Sequence, residues 1–460
     1  MRHILFLLLI VLMACQPKSE NKKFTGAEGE IKIITLAPGH FHAALLQKTM
    51  LKQLDKKVQV YAPAGPEVDA HLALINSFNN RTENPTCWDE EVYIGDDYLS
   101  KMLNEKKENV VILAGNNKDK TSYILQSVAA GMNVLADKPM AIDKSSFHKL
   151  EEAFELANKK NVLLYDIMTE RYDILNIVNR VLMQHKELFG DIQTGTPQDP
   201  AVKLESVHHF YKLVSGKPLV RPVWYYDVMQ QGEGIVDVTT HLIDLIHWKC
   251  FPETILDYKK DIRITGAKHW ATPLSLSDFS KSTLATEFPD YLNKDVKDST
   301  LFVYANGEIN YQVKDVNVGI SVVWNFQAPE GAGDTHSSII KGTKASIYIL
   351  QGKEQGYSPK LYIKKADQVS EADFKLHLDH VISGLKKNYD IGTQLADNGM
   401  YEIVISDKHK DGHEAHFSHV AEKFFGFLVS REMPEWEVPN MLTKYFITTE
   451  ALEIAKKEDK

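Results

Sequence analysis

Apolar and polar positions fall into two registers along the first third of the chain. Runs of adjoining apolar residues, "IKIITLA" (31–37), "VQVYAPA" (58–64), "NVVILAGN" (109–116), "NVLADKP" (133–139) and "NVLLYDIM" (161–168), read as buried strands. Between them, apolar residues three and four apart predict helices over 41–54, 96–106, 121–130 and 145–160, the third stopped by Gly131. A polar stretch, "NSFNNRTENPTCWDEE" (76–91), separates the second strand from the second helix. Strand and helix alternating in this way predict an α/β unit: a doubly wound parallel sheet covered on both faces, with ligands at the carboxyl ends of the strands.

After about residue 170 the pattern changes. Two helices flank "KLESVHHFYK" (203–212), and from about 300 come the strand-like runs "TLFVYAN", "INYQVK", "GISVVWNF", "SSIIKG", "ASIYIL" and "KLYIKK". Clustered strands with helices at their margins predict an α+β domain on a mostly antiparallel sheet. The expected organisation is a leader over 1–15, a tether over 16–29, a dinucleotide-binding domain over 30–168 and the α+β domain over 169–455.

The leader "MRHILFLLLIVLMAC" has a basic start and an apolar run too short to span a bilayer, and so reads as a secretory signal. Its end, "LMAC", resembles the bacterial lipobox. That resemblance implies cleavage before Cys15, lipid on its sulfur, and a chain held on an envelope membrane, periplasmic or outer-membrane facing. Of the other cysteines, Cys87 and Cys250 could pair in an oxidising compartment or remain two separate thiols. A net charge of −9 and no long basic run exclude a phosphate-tracking surface, and with it nucleic acid as a partner.

Candidate chemistry collects at strand ends. The first strand-to-helix turn, "APGHFH" (37–42), keeps Gly39 at the middle glycine of a G-x-G-x-x-G pattern, whose backbone N–H groups reach a pyrophosphate. Ala37 and His42 replace the outer glycines, with His40 and Phe41 between. Asn116 and Asn117 follow one strand, and Asp137, Lys138 and Pro139 end the next; Pro139 keeps Lys138 extended at the crevice mouth. "GEGIVDVTTHLIDLIHW" (232–248) places Asp237, His241 and Asp244 at offsets of four and seven, one stripe of a helix, beside a packing stripe of Val238, Leu242 and Leu245.

These motifs, in this order, resemble the Gfo/Idh/MocA family of nicotinamide-dependent sugar oxidoreductases. Its A-T-P-N-like turn and "aGkhVlcEKPlA" are matched by "AGNN" and "AGMNVLADKPMA", and its G-G-x-x-x-D-x-x-x-H-x-x-D signature by "GEGIVDVTTHLID". The resemblance, over about 31–350, implies a Rossmann domain, tightly bound NAD or NADP, a carbohydrate substrate and association through the C-terminal sheet. Lys138 would sit beside the nicotinamide and hydrogen-bond the reacting hydroxyl. Asp237 would orient the site, His241 would exchange the hydroxyl proton, and Asp244 would support that imidazole. Cofactor contacts would fall to Ala37, Gly39, His40, Phe41, Asn116, Asn117, Asp137, Lys138 and Pro139. Asp137 stands where the family has glutamate, and Glu233 where it has a glycine. Ala62 stands near the ribose-binding acid, with Glu67 and Asp69 beyond it, which leaves NAD and NADP both open.

The chemistry of the residues agrees with those roles. Alcohol oxidation needs a proton acceptor beside the hydroxyl, and imidazole suits that exchange near neutral pH. Arg221, Trp224 and Tyr225, with Asp237, His241 and Asp244, are candidates for the substrate pocket. Nearby His208, His209, Tyr211, Lys212 and Asp227, and the Asp334 and His336 of a later loop, read equally as pocket or packing residues. His413, His416 and His419 have H-E-x-H spacing, not H-E-x-x-H, and Phe417, Phe424 and Leu428 mark a packed helix; no metal is assigned. A cofactor used outside the cytoplasm must stay bound. That constraint fits coupled oxidation and reduction of sugars, or glycoside cleavage by transient oxidation. The missing glycines leave a third alternative, a sugar-binding lipoprotein without a cofactor.

Overall fold

The computed structural model describes residues 24–107, 109–214 and 217–458. The leader with Cys15, and the tether up to residue 23, lie outside the described residues. The tether expected to run to 29 ends sooner. Phe24 is buried, with the Arg431 guanidinium 5.8 Å from its ring centre, and the Glu30 carboxylate accepts the N–H groups of Thr25, Gly26 and Ala27.

Strands β1 (Ile33–Leu36), β2 (Lys57–Ala62), β3 (Asp89–Ile94), β4 (Val110–Leu113), β5 (Asn133–Asp137) and β6 (Leu164–Ile167) form one sheet in the order β3-β2-β1-β4-β5-β6. Every pairing is parallel. Every residue of β1, β4, β5 and β6 is buried, as apolar runs in a doubly covered sheet must be. Strand β3 was not expected. It is a charged edge strand, Asp89, Glu90 and Glu91 in sequence, so it carries no apolar run to reveal it.

The connecting helices are α1 (His42–Leu45), α2 (Pro66–Asn79), α3 (Tyr98–Glu105), α4 (Asn117–Ala129) and α5 (Lys144–Lys160). The first is a correction: a helix expected over 41–54 stops after four residues. The Gln47 carbonyl accepts the Trp88 indole N–H at 2.5 Å, and the Lys48 carbonyl accepts the Arg81 guanidinium at 2.7 Å. Those side chains take acceptors that a longer helix would use internally.

The second half begins with α6 (Ile174–Gln184), α7 (Lys186–Phe189), β7 (Val202–Tyr211) and the short pair β8 (Leu213–Val214) and β9 (Lys217–Pro218). It continues through α8 (Val228–Gln231), α9 (Thr239–Cys250), β10 (Ile262–Ser275), α10 (Leu276–Thr283), β11 (Val296–Lys297), β12 (Thr300–Val313) and β13 (Val316–Gln327). Then come β14 (Thr335–Lys341), β15 (Ala345–Leu350), β16 (Lys360–Lys365), α11 (Glu371–Leu385), β17 (Ile391–Leu395), β18 (Tyr401–Ile405), α12 (His413–Ser430) and α13 (Glu437–Glu458). A ten-stranded sheet runs β10-β12-β13-β7-β14-β15-β16-β18-β17, with β11 on β12. It is antiparallel except where β7 lies parallel to β13. The segment around 203–212, given no element in the sequence reading beyond its flanking helices, is an interior strand of this sheet.

The two halves are not consecutive blocks. Phe417, Val420, Phe424 and Leu428 of α12, and Met441 and Tyr445 of α13, join the core of the first sheet, whereas Ile447, Leu452 and Ala455 of α13 join that of the second. A boundary near 168 therefore marks where the chain first leaves the parallel sheet, and the C-terminal helices return to clamp both.

Candidate active site

Strand β5 ends at Asp137, so Lys138 leaves the sheet at its carboxyl edge. Its ammonium donates to Asp237 Oδ1 at 2.6 Å, across to the second half. Asp237 does not lie on a helix stripe with His241, because α9 starts at Thr239 and Asp237 sits in the turn before it. Gly234 fixes that turn: a Cβ there would fall 1.6 Å from the Ala305 carbonyl oxygen of β12. The Gln231 amide donates to the other Asp237 oxygen at 3.0 Å.

Burial alone would push the Asp237 carboxyl up, but Lys138, His241 and the Gln231 amide together hold the acid below its usual range. Burial would likewise lower Lys138, and Asp237 and Asp137 keep it above normal, so the pair stays ionised. His241 stands differently. Burial, then the nearby Lys138 ammonium, lowers its pKa to about 3, and its Nδ1 has no hydrogen-bond partner among the described residues. The imidazole is therefore neutral at ordinary pH.

Glu170 escaped the sequence reading, and His413 was read there only as part of a packed helix. Glu170, in the single turn after β6, lies 3.3 Å from His413 Nδ1 at the start of α12. Burial raises the Glu170 carboxyl, but His413, His241 and His336 together hold it well below the usual range. The H-E-x-H spacing drew attention to His413, but its neighbours on α12 do not join it: the His413, His416 and His419 rings step along the helix 6.1 and 6.4 Å apart.

Asp244 requires a correction. It makes no support for His241, since its two oxygens take the Arg171 Nε and Nη2 at 2.6 and 2.7 Å and Lys444 at 2.9 Å. Arg171 also meets Glu437 at 3.0 Å and Lys444 meets Asp166 at 2.6 Å. This buried network ties α9, α13, β6 and the turn after β6 together, so Asp244 is removed from substrate as well. Arg221 Nε and Nη2 donate to the carbonyls of Phe210 and His209 and its face packs on Tyr225 and Trp324, but Arg221, Trp224 and Tyr225 all line the cleft beside the turn at 37–42. Asp227 caps α8 and pairs with Lys294.

Asp334 gathers His208, His209 and Lys212 at 3.2, 3.1 and 2.5 Å, and Ser206 bridges His208 to His336. Tyr211 lies outside this group, stacked with Phe326 under Lys281. Cys87 is exposed and Cys250 buried, and both are free.

The turn at 37–42 completes the site. The amides of Gly39 and His40 donate to the Ala114 carbonyl, and the Ala37 carbonyl lies 2.4 Å from where a Cβ on Gly115 would stand. The turn is thus pressed onto the end of β4, beside Asn116, which caps α4, and Asn117, whose amide reaches the Gln231 carbonyl. A cleft of about 520 Å³ opens beside it, walled by Gly39, His40, Glu67, Leu74, Trp224 and Tyr291.

A family model for an oxidoreductase family with an NAD-binding Rossmann fold matches residues 39–166, and one described as "Putative oxidoreductase C terminal domain" matches 178–456. The chain is 51% identical to a solved structure described as a putative oxidoreductase from Parabacteroides merdae, covering 95% of this chain and all of that one, with a TM-score of 0.93. The chain belongs to the Gfo/Idh/MocA oxidoreductase family.

Similarity of fold alone extends to a levoglucosan dehydrogenase in complex with NADH and levoglucosan (13% identity, 93% and 97% of the chains, TM-score 0.59). It extends also to a 3-ketoreductase of Actinomadura kijaniata in complex with NADP (12%, 91% and 95%, 0.52). No curated protein matches the chain. The walls of the cleft are largely apolar, with the Glu67 carboxylate among them. Asp69 is exposed and does not line it.

Proposed function

We propose that this chain is a nicotinamide-dependent oxidoreductase that moves hydride between a tightly held cofactor and a hydroxyl or ketone of a carbohydrate. The observation carrying the reading is the buried Lys138–Asp237 ion pair at the carboxyl edge of the parallel sheet, with the His241 imidazole near enough for the ammonium to help keep it neutral. Alcohol oxidation asks for those two opposite states: a cation to hold the oxygen and an uncharged base to take its proton. The nicotinamide, when bound, supplies the hydride acceptor or donor. Lys138 then binds the substrate oxygen, Asp237 fixes the ammonium, and His241 accepts the hydroxyl proton in oxidation or returns it in reduction.

The largely apolar cleft would take the adenosine end of the dinucleotide, and Glu67 in its wall favours NAD, since a carboxylate binds a free ribose diol and repels a 2′-phosphate. The levoglucosan dehydrogenase and the 3-ketoreductase, which share the fold, support a sugar as substrate. Lipid on Cys15 would hold the enzyme on the envelope, where a resident cofactor must be recycled by a second sugar. The Glu170–His413 couple favours a second reading, glycoside cleavage through transient oxidation, because elimination needs one more proton-handling group beside His241.

The deciding experiment is mass spectrometry of the chain purified from envelope membranes, followed by a carbohydrate panel read by nicotinamide absorbance. A retained or readily bound dinucleotide reduced by one sugar class is expected. A protein that neither carries nor takes up a nicotinamide dinucleotide overturns the reading. Release of the aglycone from aryl glycosides without net reduction would select the second.

A further inference from the structure

We infer that His40, His42 and Asp137 form a site for a divalent metal ion of the zinc class, whose open positions take the diphosphate of the nicotinamide dinucleotide. The second half rests on the reading above, and the first does not.

One ligand atom from each residue lies within 4.8 Å of the other two. His42 Nδ1 and Asp137 Oδ2 are already 2.9 Å apart. Ligand atoms on one tetrahedral zinc lie roughly 3.3–3.5 Å apart, so small side-chain rotations bring all three onto one ion. Two nitrogens and one carboxylate oxygen are a donor set for a metal that keeps open positions. The parts are held in place: Asp137 ends β5, His42 opens α1, and the His42 ring packs on Phe417 and meets the edge of His40, with centroids 4.6 and 3.9 Å apart.

Position names the ligand. His40 lines the cleft that fits adenosine, and Asp137 adjoins Lys138, so the three residues lie between the two ends of a dinucleotide. The fold ordinarily neutralises the diphosphate there with a glycine-rich turn and a helix N-terminus. In this chain α1 has four residues, and the amides of Gly39 and His40 are turned to Ala114. A cation fills that deficit. Charge balance couples the two guests. Lys138 is matched by Asp237, and buried Lys120 donates to the Asp137 carbonyl, so a lone dication would meet a positive neighbourhood that two diphosphate charges relieve. Metal and dinucleotide must then tighten each other equally.

The test is titration of the full chain, stripped with a chelator, with Co²⁺ followed by visible absorption, and with Zn²⁺ by calorimetry. NADH binding is followed by fluorescence with and without metal. One ion per chain is expected, lost in D137N and in the partly exposed H40A, and NADH should bind about tenfold more weakly without metal. Failure of the folded wild type to bind either ion overturns the site even if NADH binds. An ion bound equally by wild type and both variants overturns the assigned ligands. An ion whose removal leaves NADH affinity unchanged overturns its role on the diphosphate. NADH that binds in neither state overturns the cofactor reading and the diphosphate role, while the metal titration still judges the site.

Discussion

Lys138 and Asp244 sit in ion pairs of similar geometry and opposite consequence. Lys138→Met removes the charge beside the reacting oxygen and His241→Ala removes the base, and each is expected to lower turnover by about 10²–10⁴-fold. Single-turnover hydride transfer measures this, with dinucleotide binding as the control; full activity in either variant would remove that residue from the mechanism. Asp244→Asn acts on stability instead. It leaves Arg171 and Lys444 buried with less than their matching charge, and a loss of about 3–5 kcal/mol is expected in urea unfolding. A change below about 1 kcal/mol would show that the network is dispensable. At this scale the sequence singled out Lys138, Asp237 and His241 through the family resemblance that the order and spacing of the motifs carry. It could not separate Asp244 from them, since spacing along one segment does not show that Arg171 and Lys444 from elsewhere in the chain meet it. Glu170 stayed hidden, and His413 was read only as part of a packed helix, because the two lie far apart in the chain and meet only in the fold.

The elements place these residues through close contacts at a few glycines. Gly234→Ala drives a methyl group into the Ala305 carbonyl and must shift the turn that carries Asp237. A loss of about 1–3 kcal/mol is expected, together with a fall in kcat/KM. Gly384→Ala, in α11 with nothing within 4 Å of the new carbon, should instead gain about 0.4–1 kcal/mol with kcat/KM unchanged. Equal thermal shifts in the two variants would refute the assigned contact. Buried strands of the first sheet were legible because each is a continuous apolar run. The edge strand β3 was not, because its charged residues interrupt any apolar run, and the shortened α1 was not, because the Trp88 and Arg81 bonds that end it are tertiary facts.

For the whole molecule, burial of imidazoles sets the response to acid. Burial lowers His71 and His208 to about 4, and His241 and His247 to about 3. Between these values and an unfolded pKa of about 6.5, the unfolded chain binds protons that the folded chain refuses, so stability rises with pH across that window. Glu90, raised to about 7, and Asp173, raised to about 6, act in the opposite sense, but they are two against four. The urea midpoint should therefore fall from about pH 7 to about pH 5, and a midpoint that holds or rises would show that these histidines are hydrated.

The chain by itself determined the parallel sheet and the order of its motifs, because periodicity and spacing are written locally, and the roles expected of the lysine and histidine follow from the family resemblance those motifs carry. The tertiary structure alone decided that α12 and α13 return across both halves, that Asp244 is spent on Arg171, and that His40, His42 and Asp137 converge. Those outcomes depend on which surfaces meet, and contact between residues hundreds of positions apart is fixed by packing and charge pairing that no local pattern encodes.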